Sequence, residues 1–197
     1  MVRGNVNHPG RAHGIKGHFY HDEDVYEDAL FNLERAKPTG ATSPTWENIV
    51  GLGNFWGWHF AKAATNELVG TIQATHRIKV GSLLYPHIHW YPIDANAGNV
   101  RIKLDYSIAN VDGVFAVMST ESKTFASPAS AYKHTQSSFT AVTHTADIYP
   151  SALIKVYIAR VGGDGADTYD NKIVIESADW HVVEDSQGTY SETQTDK

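Results

Sequence analysis

Cysteine is absent from the 197-residue chain. That removes disulfide frameworks, thiolate metal sites and thiol nucleophiles together. No run of about 18 apolar residues occurs, so no membrane-spanning helix is expected. Basic residues are outnumbered, 16 Lys and Arg against 22 Asp and Glu, for a formal net charge of −6. With no local Lys or Arg run either, the clustered positive field that phosphates need is missing, and direct nucleic-acid binding is not expected. The N-terminus MVRGNVNHPGRAHGIKGHFYHDEDVYED lacks the apolar stretch of a secretory signal. No G-x-S-x-G elbow, phosphate-binding loop or H-E-x-x-H motif occurs.

What is present is strand signal. Hydrophobic residues make up 42% of the chain and charged residues 19%, the balance of an ordered globular protein with one substantial core. In NVRIKLDYSIAN (99–110), Val100, Ile102, Leu104, Tyr106 and Ile108 fall on one face, and Arg101, Lys103, Asp105 and Ser107 on the other. ELVGTIQATHRIKV (67–80), LYPHIHWYPI (84–93), FTAVTHTADI (139–148), ALIKVYIARV (152–161) and NKIVIESADWHVV (171–183) read as further strands. Pro86 and Pro92 each remove a ladder donor, which puts 84–93 at an edge or makes it end in a bulge. VYEDALFNLERAK (25–37) fits a helix stripe or a strand equally well. Many short strands with little helix and no crossover predict an all-β, antiparallel, jelly-roll-like sandwich. Residues 1–24, rich in Gly, His and Asn, read as an extended N-terminal arm, 25–190 as one sandwich domain and 191–197 as a polar tail.

The chemistry-bearing stretch is GSLLYPHIHWYPID (81–94). On a strand, His87 and His89 point to the same side and present two imidazoles to one space, half of a site for Zn, Fe or Mn. Gly81, five residues before His87, gives the spacing of the first cupin motif, with Asp94 where that motif has glutamate. A cupin-like metal-dependent enzyme would therefore use His87, His89 and Asp94. The second cupin motif is missing: neither His134 nor His144 has its proline and glycine context. His59, His76 and His181 also lie in β-like segments, with Asp179 on the same face as His181. The other reading makes the pair part of the wall of a structural β-protein. GGDGADTYD could hold Ca²⁺ through Asp164, Asp167 and Asp170, but it also reads as a Gly/Asp turn. In FWGWHF (55–60), Trp56, Trp58 and Phe60 are candidates for an interface as well as for ordinary core, and His87, His89 and Trp90 join them as interface candidates.

A string of features in order, VYEDALFNLERAK, SPTWENIV, FWGWHFAK, ELVGTIQATHRI, LYPHIHWYP, KLDYSIANVDGVF, VYIARVGGDGADTYD and SADWHVVEDSQGTYSET, resembles virion structural proteins of tailed bacteriophages over about residues 25 to 193. The resemblance implies a jelly-roll-like capsid cement or decoration protein with no enzymatic activity, cofactor or resident metal. Its partners would be the major capsid protein of the same phage and further copies of itself, as a trimer or, next, a dimer. It would sit on the capsid exterior after synthesis in the host cytoplasm. A carbohydrate-binding sandwich on a phage surface is the remaining alternative, since exposed tryptophans stack on sugars.

Overall fold

The structure, a computed structural model, describes residues 13–15, 18–40, 42–142 and 147–186. Of the expected arm, residues 13–15 and 18–24 are strand and pair into the sheet, because the segment before Val25 continues the same strand; its other residues, the C-terminal tail and His144 lie outside the described residues. The strands are β1 (His13–Ile15), β2 (His18–Ala29), β3 (Lys37–Pro38), β4 (Thr45–Asn48), β5 (Trp56–Phe60), β6 (Thr65–Gln73), β7 (Leu84–Pro92), β8 (Asn99–Ala109), β9 (Ser119–Ala126), β10 (Thr135–Ser138), β11 (Leu153–Val161) and β12 (Ile173–Ser186). No α-helix occurs among the described residues. The ambiguous segment 25–37 is strand to Ala29, then a single 3₁₀ turn, Leu33–Arg35, whose Glu34 N–H is capped by the Asn32 side chain at 2.8 Å. It turns because Ala29, Phe31, Leu33 and Ala36 are all buried at once, which neither a regular strand nor a long helix would allow here.

Two antiparallel sheets face each other. One carries β10, β7 and β12, with β2 and β5 sharing the far side of β12 and β1 and β4 beyond them; the other runs β3-β6-β11-β8-β9. Eight of these strands pair from the ends of the chain inward: β2 with β12, β6 with β11, β7 with β10 and β8 with β9. That nesting is a long hairpin rolled into a sandwich, the jelly roll expected from the sequence. β3, β4 and β5 are inserted between its first two strands. The core between the sheets takes the alternating inward faces, including Val100, Ile102, Leu104 and Ile108 of β8 and Ile154, Val156 and Ile158 of β11. Gly70 of β6 has no side chain because the Phe31 ring occupies that space; a Cβ there would lie 2.1 Å from the ring.

β7 is not an edge strand, yet its prolines follow the logic that suggested one. Pro86 and Pro92 sit an even number of residues apart, so their backbones face the same neighbour. Their carbonyls accept from Phe139 N and Tyr132 N, on the β10 side. β10 itself pairs only with residues 87–90. Both missing N–H groups thus fall just outside the short strand that would have needed them.

On β11 the inward alternation continues from Ile158 to Arg160, placing a guanidinium at a core position. Arg160 is fully buried and every N–H has a partner. Nε and one Nη donate to Asp167 at 2.9 and 2.8 Å, and the remaining protons go to the carbonyls of Phe60, Tyr169 and Asn171. The ion pair therefore stitches the 162–172 loop to the end of β5. Removing one partner of such a pair leaves a buried charge alone, at a cost of about 3–5 kcal/mol. Arg160→Met is expected to lower the urea-unfolding free energy by about that much. Arg101→Ala, which loses a 3.7 Å pair with Asp164 at the surface, should change it by less than about 1 kcal/mol. Equal effects of the two substitutions would contradict this account.

Candidate metal-binding cluster

The functional side chains lie on the outer face of the β7–β12 pair, and a bulge puts them there. Ile173 and Ile175 of β12 point into the core. Strict alternation would send Ser177, Asp179 and His181 inward after them. The register shifts between Ile175 and Ser177, so Ala178, Trp180 and Val182 enter the core instead and the polar residues turn outward. Asp179 then stands opposite His87 and Ser177 opposite His89, while His181 stands between Tyr85 on β7 and Asp28 on β2.

His87 is 2% exposed although it faces outward. Its ring lies 4.3 Å from the His181 ring and 4.9 Å from the His89 ring, centroid to centroid. The Nε2 atoms of His87 and His89 are 3.1 Å apart, and His89 Nε2 is 3.5 Å from Asp179 Oδ2. Exposed His134, just before β10, brings its Nε2 to 2.7 Å from His89 Nδ1. Asp28 Oδ1 is 2.9 Å from His181 Nε2 and 3.9 Å from His87 Nε2. The Ser177 hydroxyl donates to Asp179 Oδ2 at 2.7 Å, but Asp179 Oδ1 is buried with no hydrogen-bond partner. Burial holds His87 below the usual imidazole pKa and Asp179 above the usual carboxylate range. Two groups of potential ligands result, His87/His89/Asp179 and Asp28/His87/His181, the donor atoms of each lying within 4.8 Å of one another. A pocket of about 460 Å³ opens beside them, lined in part by Tyr26, Tyr85, His181 and Phe139.

Asp94 does not join the pair. Beyond the end of β7 it accepts from Tyr169 Oη at 2.7 Å and from Asn171 at 2.6 Å, closing the 162–172 loop. The acidic group beside His87 and His89 is Asp179, which the sequence signals only by its place two residues before His181. In the Asp-rich loop, Asp167 is taken by Arg160, Asp164 caps the turn at Ala166 N, and Asp170 is exposed. Of the three candidate calcium ligands, Asp167 is therefore already paired with a cationic side chain. Among the interface candidates, Phe60 and Trp90 are fully buried in the core, Trp90 donating to Ser137 Oγ at 3.0 Å. Trp58 is half-buried, and its indole N–H bonds the Leu33 carbonyl. Trp56 reaches the surface. His76, exposed, meets Ser151.

Neither a family model nor a curated protein matches the chain. Among solved structures it is similar to the CBM36-1 domain of a multidomain xylanase from the hindgut metagenome of Trinervitermes trinervoides, at 13% identity over 79% of this chain and 96% of that one, TM-score 0.41. It is also similar to the CBM22-1–GH10 modules of Clostridium thermocellum endo-1,4-β-D-xylanase 10B, at 11% identity over 81% of this chain and 28% of that one, TM-score 0.40. A third is infectious bursal disease virus, Gx strain, at 10% identity over 84% and 33%, TM-score 0.39. The chain spans less than a third of the xylanase chain and about a third of the viral one. These likenesses say nothing of ligand or partner; the fold rests on the strand order itself.

His59, on the other strand beside β12, provides a pH test away from the cluster. Burial is the largest influence and holds its pKa below the ordinary 6.5; the Gly57 carbonyl, Glu47 and Glu176 pull upward and Lys172 pushes down. The unfolded chain then takes up this proton first, so His59 contributes stability above about pH 6.5 that is lost on acidification. The wild type should lose more unfolding free energy between pH 7.5 and 5.5 than His59→Gln does. Equal losses would contradict the assignment.

Proposed function

We propose that the protein is a virion structural protein that decorates an assembled phage capsid. The observation that carries this reading is the loop joining β4 to β5. It displays Val50 at 78% exposure, Phe55 at 70% and, at the start of β5, Trp56 at 51%, with Leu52 also exposed. Large apolar groups gathered on one loop of a rigid sandwich are the signature of a protein-binding surface rather than of solvent contact. The sequence resemblance to tailed-phage virion proteins supplies the partner, the major capsid protein of the same phage, and the location, the capsid exterior.

The mechanism is mass action. A protein that binds the assembled shell and not its free subunits stabilises the shell by an amount that grows as its concentration exceeds the dissociation constant. Rotational symmetry of a homo-oligomer, a trimer first and a dimer next, would match the symmetry axes of the shell. This role needs no reaction and no cofactor. A second reading, carbohydrate binding, draws on Trp46 at 42% exposure, edge-on against Trp58 of the paired strand β5, with exposed Trp56 two residues along that strand.

One substitution separates the two. Trp56→Asp is expected to keep the oligomer mass and unfolding midpoint while weakening binding to purified shells by at least tenfold, the scale of an aromatic hot spot. Neither form should bind free capsid subunits. Wild-type binding to shells no tighter than the variant's would overturn the decoration reading. Saturable glycan binding lost in Trp56→Asp would establish the second reading in its place.

A further inference from the structure

We infer that His87, His89 and Asp179 form a structural binding site for a zinc-class transition-metal ion, clamping β7 to β12 on the outer face of the sandwich. The inference is independent of what the protein decorates.

The arrangement of ring nitrogens carries it. Each imidazole has an acceptor at its outer nitrogen: the Tyr85 carbonyl is 3.4 Å from His87 Nδ1, and His134 Nε2 is 2.7 Å from His89 Nδ1. With protons on both Nδ1 atoms, the two Nε2 lone pairs converge on the same point, 3.1 Å apart, beside Asp179 Oδ2. Ligand histidines are oriented in this way, one nitrogen donating to an outer acceptor and the other bound to metal. The Ser177 hydroxyl donates at 2.7 Å to the same Oδ2 that faces His89, which fixes the orientation of the carboxylate.

The spacing is close to what zinc needs. Donors at about 2.0–2.2 Å from a tetrahedral zinc lie about 3.3–3.6 Å apart; His87 Nε2 and His89 Nε2 are 3.1 Å apart, His89 Nε2 and Asp179 Oδ2 3.5 Å, and all three donors lie within 4.8 Å of one another. Two imidazoles and one carboxylate select a zinc-class ion over Ca²⁺ or Mg²⁺, which take all-oxygen shells. Asp179 Oδ1, buried and unpartnered, is a second oxygen within the same carboxylate. Asp28, half-exposed and 3.9 Å from His87 Nε2, borders the remaining side. The ligands come from two neighbouring strands and a third strand stands beside them, so the bound ion would fix the register that the β12 bulge sets.

The test uses the full chain, stripped with EDTA and titrated with Zn²⁺ by calorimetry, and with Co²⁺ by visible absorption. One equivalent should bind, with the intense absorption bands of four-coordinate Co²⁺. His89, at 24% side-chain exposure, can be removed without opening the core. His89→Ala and Asp179→Asn should each weaken binding by at least about 100-fold, beyond the 10–100-fold that loss of an outer partner costs. In EDTA, His89→Ala should unfold near the wild-type temperature, and Zn²⁺ should raise only the wild-type midpoint. A chain with His8, His13, His18 and His21 all replaced should bind as the wild type does. Absence of binding, undiminished binding in His89→Ala and Asp179→Asn, or loss of binding in the arm variant would each overturn the site.

Discussion

The buried pair of Arg160 and Asp167 sets the frame for everything at the functional face. A guanidinium at a core position is tolerated because all five of its N–H donors meet an oxygen, two on Asp167 and three on backbone carbonyls. Those carbonyls belong to Phe60, Tyr169 and Asn171, so a single side chain fixes the end of β5 and the loop that delivers β12. Tyr169 and Asn171 in turn hold Asp94 beyond the end of β7. β12 enters the sheet between β7 and β5 with its starting register already determined.

From that start, one bulge decides what the outer face can do. Without the shift between Ile175 and Ser177, Asp179 would point at the core and Trp180 at solvent. With it, the largest buried side chains of β7 and β12, Trp90 and Trp180, lie inside, while His87, His89, Asp179 and His181 share the opposite face. A hydrophobic requirement on one side of the sheet and a polar cluster on the other are thus satisfied by a single irregularity. The apolar β4–β5 loop lies on strands attached to the same β12 through β5, so the exposed apolar loop and the cluster belong to one sheet.

Much of this was legible in the residues. The alternation of β8 reads directly as Val100 to Ile108 inward, and the His87/His89 pair reads as same-face because period two needs no tertiary knowledge. The third ligand was not legible. Asp94 is near in sequence, but Asp179 is near in space, through a pairing of strands far apart in the chain and a bulge with no composition of its own. Arg160 was hidden for the related reason that its charge argues against a core position until Asp167 and three carbonyls are assembled around it. The 25–37 segment escaped because Ala29, Phe31 and Leu33 keep the strand period while Ala36 breaks it, and Ala29, Leu33 and Ala36 fit a helix that Phe31 breaks. Of FTAVTHTADI, residues 143–146 lie outside the described residues; among the described ones, Val142 forms an isolated bridge to Leu84.

Native mass spectrometry of the purified protein reports together the two quantities proposed here, self-association of the sandwich and one clamped metal ion per chain. The predicted result is a mass of three 21.7 kDa chains plus three transition-metal ions. Single chains at the mass of the polypeptide alone would contradict it.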